Sequence, residues 1–268
     1  MIDALQYEFM QHALLAGMLV SFASGIIGSL IVVNRMVFLA GGIAHTSYGG
    51  IGLAVYLGLP IFFGASIFAV AAAILIATLT LKKRQRIDTL IGLIWAVGMA
   101  IGVIFIDISP GYNVDLMGYL FGSILAVSTE DIYFMSILLL GIFFVVIFWY
   151  RDILAVSYDS QYANLRGINV RFFYTLILIL SALTIVIAIK VVGLILVIAM
   201  LTIPVYIAEK LSSSLFIMMF LSGLIATFFT LMGLWFSYTY NLSSGASIII
   251  VSALFFALFL ISTKKDIL

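Results

Sequence analysis

Cysteine is absent from these 268 residues, which excludes disulfides, thiolate metal sites and thiol nucleophiles. Charge is nearly as scarce. Only 9% of positions are Asp, Glu, Lys or Arg, against roughly 25% in soluble domains, while 65% are apolar, so a water-soluble globule is excluded. The 12 basic and 11 acidic residues leave a net charge of +1, and no electrostatic case for binding nucleic acid exists. No Gly-Lys pair occurs, so the phosphate-cradling G-x-x-x-x-G-K-[ST] loop is missing and ATP-driven work would need an ATPase on another subunit. The first basic residue is Arg35. With no basic region before the first apolar run, that run is expected to be a retained span and not a cleavable signal.

What the chain has in quantity is apolar sequence of spanning length. At about 20 residues per crossing, runs over 9–33, 36–58, 60–81, 87–107, 130–150, 171–190, 191–208, 214–237 and 244–262 predict an all-α, polytopic helical bundle of nine spans. The count falls to eight if the small-residue run 36–58 does not cross. Placing Lys82 to Arg86 in the cytoplasm puts every other basic residue inside except Lys190, with the N-terminus outside and the C-terminus inside. Lys190 then snorkels from a tight outer turn. A single transmembrane domain over 1–268 is expected, in a cytoplasmic membrane and surrounded by lipid.

Two segments interrupt the spans. Residues 108–128 carry Pro110, Gly111, Asn113 and Asp115, and their apolar core, Leu116 to Val127, is too short to cross; an external re-entrant or interfacial helix is expected. Residues 151–171 are the longest polar stretch. There Ser157 or Asp159 can cap a short helix that packs through Ala163 and stops at Gly167, which suits a docking element for a cytoplasmic partner.

Few side chains can carry chemistry. His45 lies ten residues beyond Arg35, about 15 Å at 1.5 Å per residue and therefore near the bilayer midplane, where a polar group is expensive and marks function. Gly41, Gly42, Gly49, Gly50 and Gly52 strip its helix, which can then pack closely or line a passage. At the outer end of the eighth run, Ser237 and Asn241 are spaced i, i+4 and share a face if the helix persists. Tyr238 and Tyr240 suit an interfacial belt, and His12 an interfacial position. His45-Thr46-Ser47 places a base beside hydroxyls but no carboxylate in either adjacent turn, so an intramembrane hydrolase is not expected.

Together, Asn34 to His45, Val114 to Asp131, Ala163 to Gly167, Lys190 to Pro204 and Asn241 to Ile248 resemble, in order, the membrane subunits of bacterial and archaeal divalent-metal (zinc/manganese) ABC importers. The resemblance implies a homodimeric permease similar to the larger-footprint cobalamin and siderophore importers. It also implies a pair of cytoplasmic ATP-binding subunits docked on 151–171, and an extracellular or periplasmic metal-binding protein that delivers zinc or manganese. Nothing is held covalently. The ion contacts it suggests are His45, Ser237 and Asn241. The family's acids, four residues before the histidine and four after the serine, are Gly41 and Asn241 here; Asp107, Asp115 and Tyr48 are possible substitutes. A permease for a metal chelate would explain fewer protein ligands. A secondary transporter is the other alternative, although coupling acids within the membrane core are not evident.

Overall fold

A computed structural model describes residues 6–82, 87–109, 121–194 and 197–264, and among them every regular element is helical. In chain order these are α1 (Glu8–Val33), α2 (Val37–Leu57), α3 (Ile61–Lys82), α4 (Ile87–Asp107), a 3-10 turn (Ile124–Ala126), α5 (Thr129–Phe148), α6 (Tyr150–Tyr158), α7 (Ser160–Leu165), α8 (Val170–Val192), α9 (Val197–Leu211), α10 (Leu215–Tyr240) and α11 (Ser244–Lys264). Seven helices, α1, α3, α4, α5, α8, α10 and α11, are long and apolar enough to cross a bilayer. Their outer faces are apolar too, with Phe148 78%, Ile137 70% and Leu258 63% exposed. Such surfaces suit hydrocarbon and not water. The two expected spans outside this set differ for separate reasons. In α2 the glycines, His45, Thr46 and Ser47 dilute the apolar residues, while α9 has only 15 residues, about 22 Å of helix against a core of about 30 Å.

Local chemistry sets the helix ends. Gly58, at φ +66, closes α2: its N–H reaches the Val55 carbonyl and the Leu59 N–H the Ala54 carbonyl, a Schellman ending just before Pro60. Asn241 closes α10 in the same left-handed region, at φ 54, which Asn tolerates better than most residues. Ser214 starts α10 by accepting the Ile217 N–H at 3.3 Å.

The chain divides into two compact units. The first comprises Met1–Val32, Met117–Gly141 and Ala188–Leu268. In it α1 lies against α9 and α10 at backbone distance, since a β-carbon on Gly28 would stand 2.6 Å from the Leu201 carbonyl and one on Gly25 2.6 Å from the Gly223 Cα. Hydroxyls join the same helices: Ser21 with Thr230 at 3.1 Å, and Ser222 donating to the Gly25 carbonyl at 2.9 Å. Small residues and interhelical hydroxyls replace the hydrophobic drive that lipid cannot supply, each bond contributing about 0.6 kcal/mol. Ile207, Phe229 and Val251 complete a core shared by α9, α10 and α11.

The same unit holds the described end of the 108–128 segment. Residues 110–120, most of the expected external helix, lie outside the described residues. Gly122, at φ +73, leads into the 3-10 turn. Gly122 is needed because its backbone lies against Val192 and Gly193, and a β-carbon would collide with both. The Ser123 N–H bonds the Lys190 carbonyl at 3.2 Å and the Ile124 N–H bonds Ser244 Oγ at 3.2 Å. Lys190 itself does not snorkel from a turn: α8 continues to Val192, and Nζ pairs with Asp131 Oδ2 at 3.3 Å. Asp131 in turn accepts the Ser128 N–H at 2.9 Å, at the start of α5. The basic residue that departs from the expected charge pattern therefore has an acidic partner.

The second unit comprises Val33–Leu116 and Ile142–Ile187. Its centre is α2, held between α3 and α4. A β-carbon on Gly50 would collide with the Gly64 carbonyl of α3, and one on Gly52 with the Gly102 carbonyl of α4; on Gly42 it would meet Ile91 Cγ2 at 2.5 Å.

Candidate functional site

The glycines around His45 are thus consumed by packing within one unit. Gly49 faces Gly98 and Phe68, while across the seam Gly98 faces Thr46 and Gly102 faces Tyr48. Gly41 is buried as well. Thr46 Oγ1 donates to the Gly42 carbonyl at 2.7 Å and lies 3.3 Å from the Ile94 carbonyl of α4, and Ser47 Oγ donates to the Ala44 carbonyl at 2.6 Å. Both hydroxyls beside His45 are therefore engaged with backbone carbonyls and not with the imidazole.

His45 is held differently. Its imidazole stacks face to face on the Trp95 indole of α4, with ring centroids 3.8 Å apart and planes 14° from parallel. Its Nδ1 is buried and has no hydrogen-bond partner among the described residues. A buried donor or acceptor without a partner is costly and asks for an explanation. Sequence reasoning did not single out Trp95: one indole in an apolar span carries no signal, and only the α2–α4 register places it over the histidine.

Ser237 and Asn241 belong to the first unit, and the helix does not persist through both. The helix ends at Tyr240 and Asn241 is its left-handed cap, still joined to Ser237 by its N–H on the Ser237 carbonyl. Ser237 is 2% exposed and its Oγ donates to the Leu242 carbonyl at 2.7 Å, while the Leu242 N–H returns to the Ser237 carbonyl. That hydroxyl satisfies a helix end. Among the described residues no three His, Asp or Glu side chains gather as a metal cage.

The 151–171 segment forms α6 and α7. Asp159, not Ser157, caps α7, its carboxylate accepting the Gln161 and Tyr162 N–H groups at 3.0 and 2.9 Å. Ser157 Oγ instead accepts from Asn34 Nδ2 at 2.9 Å. Gly167, at φ +77, ends α7 in a Schellman motif, with Gly167 N–H to Asn164 and Ile168 N–H to Ala163 at 3.0 Å each. Ala163 is wholly buried, whereas Leu165 is 87% exposed and Tyr158 63%. Arg166 lies over the Tyr162 ring at 5.7 Å. Leu165 and Tyr162 are thus exposed apolar side chains on the capped α7, with Tyr158 exposed at the end of α6 and Arg166 beside them.

The chain matches the ABC 3 transport family over residues 6–263. It is 44% identical to an uncharacterized membrane protein of Synechocystis, over 95% of this chain and 90% of that one. It is 35% identical to the manganese transport system membrane protein MntC of Listeria innocua, over 98% of this chain and 94% of the relative. Among solved structures, PsaBC from Streptococcus pneumoniae in complex with Fab superposes with a TM-score of 0.88 at 32% identity, covering 96% and 93% of the two chains. A transporter assigned to the metal-chelate ABC type, in an inward-facing conformation, shares the fold at a TM-score of 0.75 and 15% identity, over 97% and 88%.

Proposed function

The chain belongs to the ABC 3 transport family, and on that premise we propose that it is the membrane permease of an ATP-driven importer of divalent metal, with manganese as the principal ion. The observation that carries this reading is full-length similarity, at 35% identity, to a manganese transport membrane protein. Donor chemistry agrees. A cysteine-free chain with one midplane imidazole and oxygen donors suits manganese better than zinc, which favours thiolate and multiple imidazole ligands. A conduit in any case needs weak contacts, because the ion must leave as readily as it enters.

The working assembly is a homodimer with two cytoplasmic ATPase subunits on 151–171 and a metal-delivery protein outside. The exposed Leu165, Tyr162 and Tyr158 support that docking site, together with Ser157, Asp159, Ala163 and Gly167, which shape the segment. Nine crossings, with the N-terminus outside, suit the charge pattern. In support, α2 is shielded by α3 and α4 and so needs little lipid-facing apolar surface. His45 contacts the ion; Ser237 and Asn241 contribute through backbone or amide oxygen at most. Gly41, Gly42, Gly49 and Gly50 serve packing.

The test is reconstitution of the permease with its ATPase in proteoliposomes supplied with the delivery protein. ATP-dependent uptake of radiolabelled manganese, exceeding that of zinc, is expected. Uptake without ATP would instead identify a secondary transporter, and uptake of chelated metal alone would favour the chelate reading.

A further inference from the structure

A histidine that ligates a metal is nearly always oriented by its second ring nitrogen, which hydrogen-bonds a carboxylate or carbonyl. His45 has no such partner at Nδ1 among the described residues. The ring needs some constraint, because its terminal torsion is broad and two-fold, with no deep staggered well. What the structure supplies is the indole of Trp95, parallel to the imidazole at 3.8 Å.

The indole is placed by the helix seam around it. One turn before Trp95, Ile91 fills the groove left by Gly42; one turn after, Gly98 lies against the Thr46 backbone, and between them the Ile94 carbonyl faces Thr46 Oγ1 at 3.3 Å. These contacts fix α4 against α2 on both sides of the ring. A metal–nitrogen bond lies in the plane of the imidazole, along the lone pair, whereas a stacked indole occupies only the face. Stacking therefore restricts rotation without competing for the donor atom.

We propose that Trp95 is the positioning residue of the transport site, holding the His45 imidazole by its face so that its edge is presented to the ion. This inference rests on the reading that His45 contacts the ion, and it assigns to an aromatic stack the task usually given to a hydrogen bond. Loss of the stack weakens ion capture, while a smaller ring with a flat face preserves much of it.

The experiment uses the assembled transporter in proteoliposomes, with Trp95→Leu, Trp95→Phe, His45→Ala and the His45→Ala/Trp95→Leu double variant. Expected for Trp95→Leu is an increase of about tenfold or more in the KM for manganese, the lower end of the effect of removing a group that orients a metal-binding histidine. Unchanged ATPase association and thermal stability should accompany it, with Trp95→Phe close to the parent. Adding Trp95→Leu to His45→Ala should cost nothing further. As a readout independent of transport, the emission of Trp95, isolated by Trp149→Phe and Trp235→Phe, should change on addition of manganese only while His45 is present. A parental KM in Trp95→Leu alongside a transport-dead His45→Ala overturns the positioning role alone. Parental transport by His45→Ala overturns the ion contact itself. Equal loss of KM and stability in both Trp95 variants shows a packing residue and likewise overturns the proposal.

Discussion

His45 is the residue on which the proposed chemistry turns, and its surroundings make its prediction sharper than position alone would. His45→Ala should abolish or cripple manganese uptake while the assembly survives, and His45→Gln should not restore it fully. An interhelical hydrogen bond would be replaced by the Gln amide, but Nδ1 has no partner to lose, so recovery by Gln would count against ion contact. The glycines make an opposite prediction. Because a β-carbon at Gly50 would meet the Gly64 backbone, Gly50→Ala should destabilise the permease by about 1–3 kcal/mol, visible as a lower unfolding temperature in detergent. Were Gly50 merely lining a passage, that temperature would hold while uptake fell. His45 was legible from the sequence, since polarity at midplane depth is conspicuous; Trp95 was not, since its role exists only in contact.

At the scale of the element, α7 shows how far capping rules reach. Both candidate caps, Ser157 and Asp159, were chemically suitable. The cap is Asp159 because it is the extended residue directly before α7, whereas Ser157 lies within α6 and accepts a hydrogen bond from Asn34, 123 positions away in sequence. Asp159→Ala should cost about 1 kcal/mol of local stability, read as faster amide exchange over residues 160–165. Docking is better tested elsewhere. Ala163 is buried and Gly167 left-handed, so bulky changes there would deform the segment itself, whereas Leu165→Asp alters only an exposed side chain. It should uncouple ATP hydrolysis from uptake and reduce recovery of the ATPase with the permease, with the permease's own stability unchanged. Full coupling in Leu165→Asp would place the interface elsewhere. The pair of Ser237 and Asn241 shows the limit of periodicity: α10 ends at Tyr240, and Asn241 is its cap, still bonded to the Ser237 carbonyl.

For the whole molecule, charge distribution predicts which ends face which side. In a chain without native cysteine, single cysteines at positions 3 and 241 should react with an impermeant thiol reagent from outside, and at position 264 only after the membrane is opened. Labelling of 264 in sealed cells would reverse the topology. Among the described residues seven helices meet the length and apolarity required of a span; the remaining two candidates depend on how their neighbours shield them.

Composition and the order of residues along single runs determined that this chain lives in lipid and is helical, because these follow from which residues exist and how they are strung together and need no contact between them. Run lengths likewise marked the seven helices that can span among the described residues. The tertiary structure decided which small residues face a neighbouring helix, which hydroxyls are already spent on backbone carbonyls, why Lys190 can stand opposite the charge pattern beside Asp131, and which ring lies over His45. Each of those depends on helix register across tens of residues of sequence. A one-residue change of register rotates a helical side chain by about 100°, and nothing within a single apolar run specifies that angle.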